Sequence, residues 1–133
     1  MLDYPPKILM AFGETFSEEK GEFSEWLLQN GYQELAALSS AIKGSREANM
    51  WLIKNKFPHF AAFDEAIGGK MPAYNWLLDN DKDILALFVD AINNRMEALA
   101  WFKKREMEIF IHLSRKIRNF RENQTFDYHK LHF

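Results

Sequence analysis

The segment Ala48-Asn49-Met50-Trp51-Leu52-Ile53-Lys54-Asn55 returns twice, as Ala73-Tyr74-Asn75-Trp76-Leu77-Leu78-Asp79-Asn80 and as Ala98-Leu99-Ala100-Trp101-Phe102-Lys103-Lys104-Arg105. An earlier copy, Phe23-Ser24-Glu25-Trp26-Leu27-Leu28-Gln29-Asn30, keeps the same frame. Trp26, Trp51, Trp76 and Trp101 are the four tryptophans of the chain, and consecutive ones lie 25 residues apart. A fixed period of this length marks a repeat array, in which each unit buries its apolar face against the next.

With Trp as position 1, the other columns give the local structure. Position 10 holds Leu35, Phe60, Leu85 and Phe110; position 13 holds Leu38, Phe63, Phe88 and Leu113; position 17 holds Ile42, Ile67, Ile92 and Ile117. With Ala41, Ala66 and Ala91 at position 16, these columns describe one face of an α-helix. Position 23 and the next unit's positions 1 and 2 describe a second helical face. Each unit therefore supplies two short helices, predicted over residues 32–43, 45–54, 58–67, 71–79, 82–92, 95–104 and 106–121. A first full helix is expected over residues 16–29.

Two columns punctuate the helices. Position 5 holds Asn30, Asn55 and Asn80, and position 19 holds Gly44, Gly69 and Asn94. Both residue types tolerate the left-handed backbone that ends a helix, so both columns read as stops. Ser45 and Asp81 are expected to cap the helices that follow, and Pro58 suits a first turn. Pro5-Pro6 through Gly13 reads as a short helix outside the repeat. Arg105 replaces the expected Asn, so Ala98 to Phe120 is either one helix or, as the register of Phe110, Leu113 and Ile117 favours, two. No period-2 run signals a strand. The expected fold is all-α: an α-solenoid of paired short helices, about four repeats behind an N-terminal capping helix. As one domain it divides into a cap at residues 1–22, repeats at 23–121 and a tail at 122–133. The tail carries Phe126, Tyr128, Leu131 and Phe133, apolar enough to fold back or to meet a partner.

The tryptophan column is expected to be structural core. On that reading, truncating Trp51 or Trp76 to Ala costs about 3–5 kcal/mol. A row of exposed stacking platforms is the functional alternative.

Composition bounds the rest. The chain has 133 residues, 47% apolar and 15% aromatic, enough for one domain with a core. No apolar run approaches a membrane span, and Met1 to Lys7 lacks the basic start of a signal peptide. Zero cysteine excludes disulfides and thiol chemistry and fits a cytoplasmic setting. Charge is segregated: Asp3, Glu14, Glu18, Glu19, Glu22 and Glu25 make the start acidic, whereas Arg115, Lys116, Arg118 and Arg121 make a basic face on the last helix.

The join Gly44-Ser45-Arg46-Glu47-Ala48-Asn49-Met50-Trp51-Leu52-Ile53-Lys54-Asn55 resembles the second half of the ankyrin repeat. It has a Gly, a Glu three residues on, small apolar positions, and a bulky-Leu-Leu end with a stop. Leu38 and Ala41-Ile42 resemble the first ankyrin helix, and the likeness covers residues 22–117. The 25-residue period is shorter than that of ankyrin, the Thr-Pro-Leu-His signature is missing, and no room remains for β-hairpin fingers. The resemblance implies a protein-interaction scaffold and carries over no binding residue.

Chemical motifs are weak. Asp79-Asn80-Asp81-Lys82-Asp83 opens like a calcium loop, but Ile84 and Asp90 stand where Gly and Glu are required. His59, His112, His129 and His132 lack metal spacing, although His129, His132 and Asp127 would approach one another on a helix. Asp64-Glu65 and Asp90 share helix columns with Ser39-Ser40 and Ser114-Arg115, and read as a solvated ridge rather than an acid–base pair. No nucleophile–base set, phosphate loop or zinc pattern is visible. The functional expectation is a non-enzymatic module that binds another protein, with no cofactor, metal or membrane partner. Head-to-tail self-association, steered by the acidic start and basic end, is also allowed. The alternative is binding of nucleic acid or an acidic partner through Arg115, Lys116, Arg118 and Arg121.

Overall fold

A computed structural model describes residues 3–131, with side chains described through residue 124. Nine α-helices account for the described architecture: α1 (Pro6–Glu14), α2 (Glu22–Gln29), α3 (Gln33–Ile42), α4 (Arg46–Lys54), α5 (Pro58–Ile67), α6 (Met71–Asp79), α7 (Asp83–Ile92), α8 (Met96–Lys104) and α9 (Glu108–Leu131). There is no strand among the described residues. Short turns join consecutive helices, so neighbours run antiparallel and the odd-numbered helices share one direction.

The packing has two layers. The inner helices α1, α3, α5, α7 and α9 touch in that order, and α9 also packs on α1. The inner layer therefore closes, and the two ends of the chain's repeat pattern meet. The outer helices α2, α4, α6 and α8 each sit against two inner ones and do not touch one another. The core lies within the inner layer, where Phe12, Leu38, Phe63, Phe88 and Leu113 are fully buried. Phe63 lies tilted against Phe88 at 5.0 Å, and Phe88 meets Phe110 edge-to-face at 5.4 Å between ring centroids.

Several local readings change. α1, expected to cap the array, buries a stripe spaced like that of α3. Leu9, Phe12, Thr15 and Phe16 are buried with the spacing of Leu35, Leu38, Ala41 and Ile42, offset by one residue from the period. The expected helix over residues 16–29 begins only at Glu22. Gly21, at φ +72°, holds a left-handed turn, and the Glu18 carboxylate accepts from the backbone N–H groups of Phe23 and Ser24. That satisfies donors which a helix start otherwise leaves open. Asp81 does not cap α7; it takes φ +61° in the turn. Ser45 does cap α4, accepting from Ala48 N at 3.1 Å.

The two stop columns work differently. Position 19 adopts the left-handed conformation at Gly44, Gly69 and Asn94, as read from sequence. The position 5 asparagines do not. Their side-chain amides donate to the carbonyl of the Trp four residues earlier, at 2.7 Å for Asn30–Trp26 and 2.8 Å for Asn55–Trp51 and Asn80–Trp76. The following residue, Gly31, Lys56, Asp81 or Glu106, takes positive φ. Arg105 substitutes for Asn by donating to Trp101 O at 3.4 Å, with its guanidinium 4.0 Å from the Trp101 ring centroid. The chain between Ala98 and Phe120 thus breaks into α8 and α9. No stop follows within α9, which continues as helix through residues 122–131 where a tail was expected.

Candidate functional surfaces

Three consecutive apolar columns, positions 1, 2 and 3, cannot all face inwards on a helix that turns 100° per residue. Position 2 takes the centre: Leu27, Leu52, Leu77 and Phe102 are fully buried. The tryptophans are only half-buried, packed on the rim of the core. Their assignment as repeat core is corrected to this extent. Position 3 points out, and Leu28, Ile53 and Leu78 are exposed.

Apart from Met10, every exposed large apolar side chain among the described residues lies on an outer helix: Phe23, Leu28, Met50, Ile53, Met71, Leu78 and Met96. Leu28 and Ile53 border grooves between successive outer helices. One groove, of about 550 Å³, has Leu28 on its α2 wall, Trp51 on its α4 wall and Ala36, Ala37 and Ser40 on its α3 floor. The next, of about 530 Å³, repeats the arrangement with Ile53, Trp76 and the floor residues Ala61 and Ala62. The Trp of one unit thus faces the position 3 side chain of the unit before it, across a floor of small residues.

The basic face of α9 is largely turned inwards. Lys116 bonds Glu14 at 3.3 Å and Ser17 Oγ at 2.9 Å, fastening α9 to the end of α1. Arg118 donates to Ala91 O at 2.7 Å and Ile92 O at 3.0 Å, carbonyls at the end of α7. A cation there is favoured by both the hydrogen bonds and the helix dipole. Arg121 is half-buried, and its charge acts on Asp64. Arg115 is exposed. The clustering of basic residues at helical spacing was visible in sequence; their engagement with α1 and α7 was not, because it depends on closure. A polar groove of about 560 Å³ adjoins this end, lined by Asn93, Asn94, Arg118, Arg121 and Glu122 over Ile42 and Ile92.

The carboxylate columns are inter-helix ties. Asp64 accepts from Asn49 Nδ2 at 2.9 Å, and Asp90 from Tyr74 Oη at 2.9 Å, with Arg95 at 3.8 Å. Burial raises the Asp64 carboxyl above its ordinary range, opposed by the Asn49 hydrogen bond. Ser39 bonds buried Thr15 at 2.7 Å, and Ser114 bonds Phe110 O. His59 packs on Phe60 at 4.5 Å, and desolvation, aided by Lys82, lowers its pKa. His112 is half-buried, and its buried Nε2 lacks a hydrogen-bond partner. Asp79 ends α6 and Asp83 begins α7, so the calcium-like segment is a helix-to-helix turn. Among the described residues no three His, Asp or Glu side chains gather as metal ligands, and no helix is long and apolar enough to cross a membrane. The readings that involve Phe126, Asp127, Tyr128, His129, Leu131, His132 and Phe133 fall on side chains or residues outside those described.

Comparison of the chain with protein-family models, curated proteins and solved structures gives no match to any of them.

Proposed function

We propose that this chain is a protein-binding module, an ankyrin-like helical-repeat array without β-hairpins and without catalytic activity of its own. Its partner docks on the outer face. The observation that carries this reading is the repeated groove, with an exposed aliphatic wall, a partly exposed Trp wall and a small-residue floor. A soluble surface seldom repeats large apolar side chains in register without a use for them. The outer helices do not touch, and the grooves between them suit an amphipathic helix, whose apolar stripe would lie between the two walls. The Ala floor lets its backbone approach closely.

Binding of nucleic acid through α9 has less support, since Lys116 and Arg118 already hold intramolecular partners and Arg121 is half-buried.

The test is affinity capture from a lysate of the source organism, with nuclease, using the wild-type chain and the variant Ile53→Glu/Leu78→Glu. Both side chains are exposed, so circular dichroism should be unchanged. A specific protein retained by the wild type and lost with the variant is the expected result. The same captured proteins with both chains, or recovery of nucleic acid alone, would overturn the reading.

A further inference from the structure

Each outer helix covers the seam between two inner helices: α2 over α1 and α3, α4 over α3 and α5, α6 over α5 and α7, α8 over α7 and α9. Closure of α9 on α1 creates a fifth seam, and no described helix covers it. Met10 registers the vacancy. Its equivalents Ala36, Ala61 and Ala86 are 5%, 2% and 2% exposed, the first two on the floors of grooves walled on both sides by outer helices, whereas Met10 is 42% exposed. Beside this seam a groove of about 450 Å³ runs along α1, with Lys7, Met10, Ala11 and Glu14 from α1 and Glu22, Phe23 and Trp26 from α2. It matches the other grooves in register but has only one wall.

We propose that a second copy of this chain supplies the missing cover, by antiparallel packing of α1 on α1 across a two-fold axis. Two observations select this occupant. Every outer helix runs antiparallel to the inner helices it covers, and a two-fold axis perpendicular to α1 gives the second α1 that same orientation. The charges are also self-complementary. Lys7, Met10, Ala11 and Glu14 fall on one helical stripe, and the midpoint of Lys7 and Glu14 lies between Met10 and Ala11. An axis through that midpoint sets Lys7 of each copy against Glu14 of the other, twice, with the two Met10 side chains meeting at the centre. Glu14 is partly exposed and already paired with Lys116; a carboxylate can accept a further donor. Phe23 and Trp26 flank the stripe and extend its apolar area. Such an interface is isologous and closes at two copies. It replaces the head-to-tail association suggested by the charge of the two ends, because Glu14 and Lys116 already join those ends within one chain.

Analytical ultracentrifugation across about 1–500 µM tests the proposal, together with single-cysteine variants on the cysteine-free background. Met10→Cys places thiols at the axis, and Met96→Cys, on α8 and 76% exposed, reports random collision. The expected result is a reversible dimer, rapid disulfide cross-linking of Met10→Cys over Met96→Cys under mild oxidation, and dimer affinity weakened roughly tenfold by Lys7→Glu, which turns both exposed pairs repulsive. A monomer throughout the range, equal cross-linking at the two sites, or a dimer indifferent to Lys7→Glu would each overturn it. Circular dichroism of Lys7→Glu, a change at a fully surface position, checks that the fold is retained.

Discussion

Leu77 and Leu78 are neighbours on α6, and the same substitution at each should give opposite outcomes. Leu77 is fully buried between α5 and α7, whereas Leu78 is 44% exposed on the outer face. Leu77→Ala loses the transfer energy of the removed atoms and leaves a cavity in a close-packed layer, about 2–5 kcal/mol. Leu78→Ala removes a half-exposed side chain and opens no cavity, so its cost should stay below about 1 kcal/mol. The difference is at least about 1 kcal/mol. For a chain of this size, roughly 3–5 °C of melting temperature accompanies each kcal/mol, so the two variants should melt at least about 3–5 °C apart. Trp76→Ala should cost about 3 kcal/mol, because most of a large aromatic surface is buried against the rim of the core. Urea denaturation followed by circular dichroism gives the free energies, and differential scanning calorimetry gives the melting temperatures. Equal destabilisation by Leu77→Ala and Leu78→Ala would refute the reasoning: position 3 would then be core, and the outer face would lose its docking wall.

Arg118→Ala should destabilise by about 1.5–3 kcal/mol, since it strips charged hydrogen bonds from Ala91 O and Ile92 O; Arg115→Ala, at an exposed position, should fall within about 0.5 kcal/mol of the wild type in the same denaturation assay. The raised pKa of Asp64 means that the folded state holds its proton more tightly than the unfolded chain. Its contribution to stability therefore falls as pH rises through the window above the ordinary value of 3.8. Asp64→Asn keeps an acceptor for Asn49 and removes the buried charge, so it should gain melting temperature relative to the wild type at pH 7. That gain should vanish below about pH 4 in a pH series of thermal melts.

Much of the fold was written locally and could be read. The 25-residue period gave the helix pairs because packing repeats residue by residue, and Gly44, Gly69 and Asn94 revealed their turns because few residues accept positive φ. The Asn column was recognised as punctuation, but its mechanism was not. A side-chain amide donating to a carbonyl four residues back leaves the same trace in sequence as a left-handed stop. α1 escaped the frame because one added residue moved Leu9, Phe12 and Phe16 off the period. The direction of positions 1 to 3 was calculable in principle: three adjacent positions span 200° of a helix, so one must face water. Closure was not legible. The pairing of Lys116 with Glu14 joins residues at opposite ends of the chain, and nothing in either neighbourhood announces the other. A basic face that read as a candidate binding surface became largely a set of ties for that reason, and the fifth, uncovered seam follows from the same contact.

Closure of α9 on α1 underlies the uncovered seam and the inward ties of the basic face, and a distance between spin labels tests it most directly. Lys7 and Glu108 are exposed, occupy equivalent positions on α1 and α9, and can be changed to cysteine on a cysteine-free background. Labelled protein diluted into unlabelled protein reports the intramolecular distance alone. Adjacent inner helices lie about 8–10 Å apart, so with label linkers the closed arrangement predicts a narrow distribution near roughly 15–25 Å. An array whose ends stand four helix spacings apart would give roughly 35 Å or more, and a distribution centred there would contradict the account.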